Sequence, residues 1–295
     1  MSHRPHISVC IPVHQGEPYL ANTVEHVLRQ EYDDFEIVVL DNQSTDGTAD
    51  ILHRYVDDPR IRIHQTDRLL PLQENWRRVV DLSRGELIKL VCADDLIADD
   101  ALRSQSQILD EDPGVSLVAC RRDLVDETGQ ILTHCSGLVG LLGRRNETDV
   151  VRRIVQLGMN PIGEASGVMF RRRDYEAVGG WDLNRYFVLD LDLWVRLLAH
   201  GDLIGQPEVL AAFRLGEQGL SAGHTRQQFD EHAQYIRMLS DTAVMQPHRR
   251  DRLMSRVMVP LAWQAWALRQ IVFRLRRRRS LGDRRPVRPN GHALR

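Results

Sequence analysis

The sequence predicts an α/β protein: a mostly parallel central sheet flanked by helices, with a helical, arginine-rich C-terminal extension. Three observations carry this. Short apolar runs alternate with amphipathic runs through the first 120 residues. The hydrophobic fraction of 42% suffices for a sizeable core in a chain of 295 residues. The basic charge is concentrated at the C-terminal end.

Residues 7–13 read as a strand and 17–30 as a helix, with Leu20, Val24, Val27 and Leu28 on one face. Residues 35–40 form a second strand and 46–56 a second helix, turning Ile51, Leu52 and Tyr55 inward. Ile61 and Ile63 alternate with Arg62 and His64 as in a short exposed strand, and 72–82 is helical. Residues 87–92 are nearly all apolar, which suits a strand buried on both faces. A helix at 99–109 and a strand at 115–120 complete a βαβα rhythm. After a polar segment at 123–145, strands are expected at 165–170 and 209–213. Helices are expected at 190–200, 227–240 and 257–275.

Composition excludes several classes. The four cysteines, Cys10, Cys92, Cys120 and Cys135, form no CxxC pair and have no accompanying histidine cluster, so zinc is not expected. No GxGxxG follows the first strand, and no GxxxxGK[ST] occurs, which argues against a dinucleotide cofactor and a P-loop. No leader peptide and no spanning helix are expected, which points to the cytosol. Residues 249–295 hold fourteen arginines against Asp251 and Asp283, a net of +12. That leaves −14 for the rest of a chain whose total is −2. Such asymmetry points to an anionic surface as the tail's partner. No nucleic-acid reader motif accompanies it.

Ligands of open parallel sheets bind beyond the carboxyl ends of the strands. There this chain places His14-Gln15-Gly16, then the run from Asp41 to Thr48, then Ala93-Asp94-Asp95. Adjacent carboxylates at the end of an apolar strand repel each other. Mn2+ or Mg2+ bound through them and a substrate's phosphates would relieve that. The alternative is a turn before a helix. Asp190 opens a helical run, so it reads either as an N-cap with a low pKa or as a base.

The ordered set of segments resembles the family 2 glycosyltransferases, which have the GT-A fold. The run Ile7-Ser8-Val9-Cys10-Ile11-Pro12-Val13-His14 resembles that family's opening strand. Asp41-Asn42-Gln43-Ser44-Thr45-Asp46-Gly47-Thr48 resembles "DDGSTDGT". Gly85 to Asp95 resembles "GEYIxxLDADD" with its DxD motif. Gly179-Gly180-Trp181-Asp182 followed by Asp190-Leu191-Asp192-Leu193-Trp194 resembles "GGFD…EDWDLW". The resemblance covers about residues 6–225. It divides the chain into a catalytic domain at 1–225, with a nucleotide-sugar half at 1–120 and an acceptor half at 121–225, and an extension at 226–295.

The resemblance implies a donor, a nucleotide diphosphate sugar, held by Pro12, Val13, His14, Asp41 and Asp94. It implies a divalent metal, Mn2+ or Mg2+, on Asp94 and Asp95, and Asp190 as the base that deprotonates an acceptor hydroxyl. Gly163, Glu164, Trp181 and Asp182 fall on the acceptor side. The acceptor would be a glycan or a lipid-linked molecule. An inverting reaction in cell-surface polysaccharide or glycolipid synthesis follows. Other classes remain open: a nucleotide-sugar binder without turnover, and a scaffold recruited to membrane.

Three positions depart from the family pattern. Cys92 stands at the first acidic position of "DAD", and Leu189 at the Glu of "ED". Phe213-Arg214-Leu215-Gly216-Glu217-Gln218-Gly219-Leu220-Ser221 lacks the histidine of "YRxHxxS", although His224 is near. In the tail, Val257, Leu261, Trp263, Trp266, Leu268, Ile271, Val272 and Phe273 mix with arginines and run into residues 276–279. That pattern suits an interfacial helix on anionic lipid. The alternative is a helix packed on the catalytic domain.

Overall fold

The computed structural model describes residues 4–216, 226–242, 253–265 and 267–268. Four segments open the fold: β1 (Ile7–Val13), α1 (Leu20–Leu28), β2 (Phe35–Asp41) and α2 (Thr48–His53). They lead to β3 (Ile61–Gln65), α3 (Leu72–Leu82), β4 (Leu87–Leu90), a two-residue β5 (Leu96–Ile97) and α4 (Ala101–Glu111). The second half holds β6 (Val115–Val125), β7 (Ile131–Ser136), β8 (Gly143–Arg145), α5 (Glu147–Leu157), a 3-10 turn (Ala165–Gly167) and β9 (Val168–Arg171). Then come α6 (Arg172–Ala177), α7 (Leu189–Leu197), β10 (Asp202–Arg214) and α8 (Arg226–Asp241). A further helix, α9, spans 253–265.

One sheet runs in the order β3-β2-β1-β4-β9-β6-β10-β5, with β7 on β6 and β8 on β10. The first half is parallel: β1 pairs with β2 and β4, and β2 with β3. The second half mixes directions. β9 runs antiparallel between β4 and β6, while β10 runs parallel to β6. The sheet is therefore mixed rather than parallel throughout. β7, β8 and α5 lie where the sequence offered only a polar connection and an unassigned stretch. α5 is fixed locally, because the Asn146 side chain accepts the Asp149 N–H at 2.9 Å and Gly158 ends the helix in the left-handed region.

Strand alternation distributes the core over both faces. Ile7, Val9, Ile11, Ile37 and Val39 pack with α1, α2 and α4. Cys10, Val38, Leu40, Ile88 and Leu90 pack with α3, α5 and α7. Lys89, the only lysine in the chain, is fully buried in β4. Its Nζ donates to Gln105 Oε1 at 2.6 Å, and burial pushes its pKa down to about 8. Gly85 permits the approach of the chain to β1: a Cβ there would stand 2.4 Å from the Ser8 backbone nitrogen.

The C-terminal helices belong to the same core. Tyr235, Ile236 and Leu239 of α8 and Val259 of α9 are buried in the cluster that contains α5 and α7. Of the expected extension at 226–295, the described residues of α8 and α9 thus contribute side chains to this cluster.

Candidate active site

The ends of β1 and β2 are tied into one loop pair. Gln15 N donates to Ser44 Oγ at 2.9 Å, and Thr45 N donates to Gln15 Oε1 at 2.7 Å. Gly16 N donates to Thr48 Oγ1 at 2.8 Å, and Glu17 N to Asp46 Oδ2 at 3.0 Å. Much of the Asp41–Thr48 signature thus holds backbone in place. Asp41 is buried at its strand end; Ser44 N donates to its Oδ1 and Gln65 Nε2 to its Oδ2, each at 3.0 Å. Two further lone pairs remain on that carboxylate.

Of the expected donor-wall residues, only His14 is exposed, and its Nδ1 lies 2.8 Å from Asn42 O. Pro12 is buried. Val13 is buried in the core beside Leu20. The even alternation of a strand buried on both faces sends it inward.

Asp94 and Asp95 have opposite environments. Asp95 is completely buried. Its Oδ2 accepts from Ser166 Oγ at 2.6 Å and its Oδ1 from Arg214 N at 3.1 Å. Burial, helped by Asp94, pushes its pKa well above the usual carboxylate range. Asp94 is half-buried, and desolvation raises its pKa too. The Arg214 guanidinium offsets part of that, with Nε donating to Asp94 O at 2.9 Å and the group stacked 4.5 Å from the Tyr19 ring centroid. Asp95 is thus tied into the turn, while Asp94 keeps part of its side chain exposed.

Among the described residues, no three His, Cys, Asp or Glu side chains converge into a ready-made metal cage. Asp94 alone fits a hard cation that completes its shell with phosphate oxygens and water. Cys92 sits half-buried at the motif's first position, and its thiol pKa is pushed up by burial and by Asp95, Asp94 and Asp190. It is a neutral neighbour to these carboxylates.

Asp190 is the second residue of α7; the N-cap position belongs to Val188. Of the two readings of Asp190, the N-cap is not formed. Its Oδ1 accepts the Leu191 N–H at 2.7 Å, and its Oδ2 faces Asn160 Nδ2 at 3.3 Å. Burial first, then Glu164, push its pKa up to about 7. Such a group exchanges a proton near neutrality.

The 160–164 loop is set against α7. Asn160 Oδ1 accepts the N–H groups of Ile162 and Gly163, and Trp194 Nε1 donates to Gly163 O at 3.1 Å. Gly163 has φ of +123°, and a Cβ there would stand 2.9 Å from Arg122 Nη1. Arg122 pairs with Glu164, its Nη2 donating to Oε1 at 2.9 Å. Arg122 and Asn160 gave no signal in the sequence, because they lie in the long strand and the loop that only tertiary packing brings to Asp190.

Trp181 and Asp182 are not at this site's surface. Trp181 is buried, edge-on to Trp76 at 5.1 Å and Trp194 at 5.9 Å. It packs α7, through Trp194, against Trp76 of α3. Asp182 caps its own turn, accepting from Asn184 N and Nδ2 at 3.0 Å, which lowers its pKa. Asp192 is buried and paired with Arg196 at 2.7 Å; Arg196 Nη1 donates to Val178 O and Gly180 O, clamping the two-glycine turn to α7. His224 and residues 217–221 lie outside the described residues.

A mixed α/β sheet in this order, covered by helices on both faces, is a fold of the GT-A type. The chain belongs to glycosyl transferase family 2, whose model matches residues 8–179. The uncharacterized protein MT1568 of Mycobacterium tuberculosis is 32% identical over 220 residues, covering 72% of this chain and 67% of its own length. The glycosyltransferase GlyG of Streptococcus pneumoniae is 31% identical over 106 residues, covering 36% of this chain. This chain spans about a third of GlyG, 35%. Among solved structures, the mannosyltransferase PcManGT of Pyrobaculum calidifontis, in complex with GDP-Man and Mn2+, superposes with a TM-score of 0.61. The identity is 18%, and the match covers 91% of this chain and 74% of that one. At that identity it speaks to the fold.

Proposed function

We propose that this chain is an inverting glycosyltransferase that moves a sugar from a nucleotide diphosphate sugar to an acceptor hydroxyl, in cell-surface polysaccharide or glycolipid synthesis. The observation that carries the reading is Asp190: a carboxylate with a pKa of about 7, held by Asn160 and flanked by Glu164. A pure binding protein has no use for such a base.

Asp190 accepts the proton of the acceptor hydroxyl as that oxygen bonds to the anomeric carbon and the bond to the diphosphate breaks. Direct attack of the acceptor oxygen on the anomeric carbon, with Asp190 taking its proton, inverts the configuration there. Asp41 and His14 serve the nucleotide end of the donor, and Asp94 the diphosphate end. Asp95 positions Asp94 through Ser166 and Arg214. Asp94 would hold a divalent cation, Mn2+ or Mg2+, which would offset the charge on the departing phosphate. PcManGT, which shares the fold, was solved with GDP-Man and Mn2+, which favours a divalent metal as the partner of the donor here.

The chain works at an anionic membrane surface on the cytoplasmic side. No described helix is long and apolar enough to cross a membrane. However, α9 packs by one face, through Ser255 and Val259, and leaves Leu253, Val257 and Leu261 exposed on the other, as Leu268 is further on. That apolar stripe precedes the arginine run at 276–279, which lies, with Trp266, Ile271, Val272 and Phe273, outside the described residues. The combination suits interfacial adsorption.

The test is a panel of nucleotide sugars scored for Mn2+-dependent diphosphate release with the full chain. Release from one donor, lost in Asp41→Ala and in Asp94→Ala, is expected. A panel without any metal-dependent release or binding overturns the reading.

A further inference from the structure

Two adjacent side chains of α8 reach the two segments that meet at Asp190. Glu231 Oε1 accepts the N–H groups of Tyr186 and Phe187, at 2.8 and 3.1 Å, and so holds the chain that enters α7 just ahead of Asp190. His232 Nε2 lies 3.1 Å from Gly158 O, on the segment that leads to Asn160. A carbonyl only accepts, so Nε2 carries the proton. Both residues lie beyond 8–179, the part of the chain that the family model matches.

We propose that His232 is a positioning residue for Asp190, acting through the Gly158 carbonyl and Asn160. The inference rests on the transferase reading above for its effect on turnover; the contact itself is open to test without substrate.

Three features carry it. Gly158 ends α5 with φ of +64°, and glycine is the residue with the most backbone freedom. Its carbonyl lies past the last turn of the helix. The donor from His232 fixes the plane of the peptide that follows, and with it the direction in which the chain leaves for Asn160. Second, that chain has room to move. Gly158, Met159 and Asn160 line a cavity of about 210 Å³, and Met159 is 38% exposed, so packing does not press on them from that side. α9 rests on Gly158, where a Cβ would stand 2.6 Å from Val259 N. That contact sets where Gly158 sits and leaves the orientation of its carbonyl to His232. Third, the 3.3 Å between Asn160 Nδ2 and Asp190 Oδ2 is already long for a hydrogen bond, so a small displacement of the segment loses it. With Glu231 holding the α7 side, the 158–160 side decides that separation.

His232 acts here as a donor and not as a charge. Burial lowers its pKa, with the Gly158 contact and Glu231 opposing, so the ring is neutral at pH 7. The charged side chains that act on Asp190 are Glu164 and Arg122, and a substitution at 232 leaves both in place.

The test follows the Asp190 carboxyl by carbon-13 NMR on the full chain, with aspartate labelled at the carboxyl carbon and the signal identified by its loss in Asp190→Asn. In His232→Leu the donor is gone, and Asp190 should hold its proton about tenfold more tightly, as loss of a hydrogen bond to a carboxylate does. His232→Gln brings an amide nitrogen near the place of Nε2 and should titrate like the parent. His232→Asn, whose amide falls short of Gly158 O, should follow the Leu variant and decides the matter if that variant does not fold; thermal melts show which variants do. His232→Leu combined with Asn160→Ala should titrate like Asn160→Ala alone, because both act through one contact. A histidine with only a structural role would lower the melting temperature and leave the titration where it was. That result in a folded Leu or Asn variant, or full addition in the double variant, overturns the proposal. A titration of nucleoside diphosphate with Mn2+ and a pH–rate series on the same preparations separate the two readings. The rate limb should move with the carboxyl, while diphosphate affinity stays at the parent's value. An Asp190 that responds to His232 in a protein without any diphosphate binding would retain the positioning contact and remove the transferase reading beneath it.

Discussion

The Asn160 amide nitrogen stands 3.3 Å from Asp190 Oδ2, while its oxygen takes the N–H groups of Ile162 and Gly163. One side chain thus shapes the loop and favours the charged form of the base. Glu164, on the same loop, acts in the opposite sense by raising the Asp190 pKa. Activity should therefore rise with pH through a limb near 7, the value for Asp190. Asn160→Ala should move that limb to higher pH, since a hydrogen bond to the carboxylate is lost. Glu164→Gln should move it lower, since a like charge is removed and Arg122 loses its counter-charge. A pH–rate series on the three proteins reads the order of the limbs.

Asp190→Asn should lower turnover by about 10²–10⁴-fold, with donor diphosphate binding retained. It should also change the pH dependence of stability. With a folded pKa raised above the unfolded value, Asp190 binds more protons folded than unfolded. It therefore costs stability progressively from about pH 4 to 7 and fully above that. Thermal melts at pH 4 and pH 8 should show the Asn variant gaining on the parent only at the higher pH.

Asp94 and Asp95 should separate by phenotype. Asp94→Ala should abolish Mn2+-dependent diphosphate binding with little change in melting temperature. Asp95→Ala leaves Arg214 N–H and Ser166 without their acceptor, which costs about 1–3 kcal/mol of stability. Calorimetric titration and denaturant melts of the two variants check this. Equal behaviour of the pair would mean the turn is held some other way.

Glu231 of α8 reaches the chain entering α7: its Oε1 accepts from Tyr186 N at 2.8 Å, Phe187 N at 3.1 Å and Val188 N at 3.4 Å. Glu231→Ala should cost about 1–2 kcal/mol, as loss of a helix-entry cap does. It should also reduce turnover, because α7 carries Asp190. Denaturant melts and steady-state rates on the same preparation read both.

Two truncations should differ. Removing 269–295 leaves α9 in place and should weaken sedimentation with anionic vesicles, most at low salt, where the arginines each contribute about 1 kcal/mol. Removing 249–295 strips Val259 from the core and should give an aggregating protein. If the shorter truncation sediments like the full chain at both salt concentrations, the tail is not the membrane anchor.

The local signals proved sufficient for the first half of the fold. β1, β2, β4 and β6, with the helices between them, follow from runs whose apolar period is set by burial on two faces. The order of short motifs also gave the family, and Asp41, Asp94 and Asp190 were visible as residue types at strand and helix ends. The mixed direction of the second half was not legible, since β9 and β10 pair with strands far away in sequence. Asp95 shows the limit most plainly. Beside Asp94 in sequence it looks like a second metal ligand, but a one-residue step turns it into Ser166 and Arg214 N, which arrive from 71 and 119 residues away. The pKa of Asp190 is likewise a tertiary property. A residue near a helix start carries one expectation by itself, and desolvation by the loop from Asn160 to Glu164 imposes another. Sequence determined which groups the chain owns; packing decided which of them lost water, and with it which could act as base, brace or ligand.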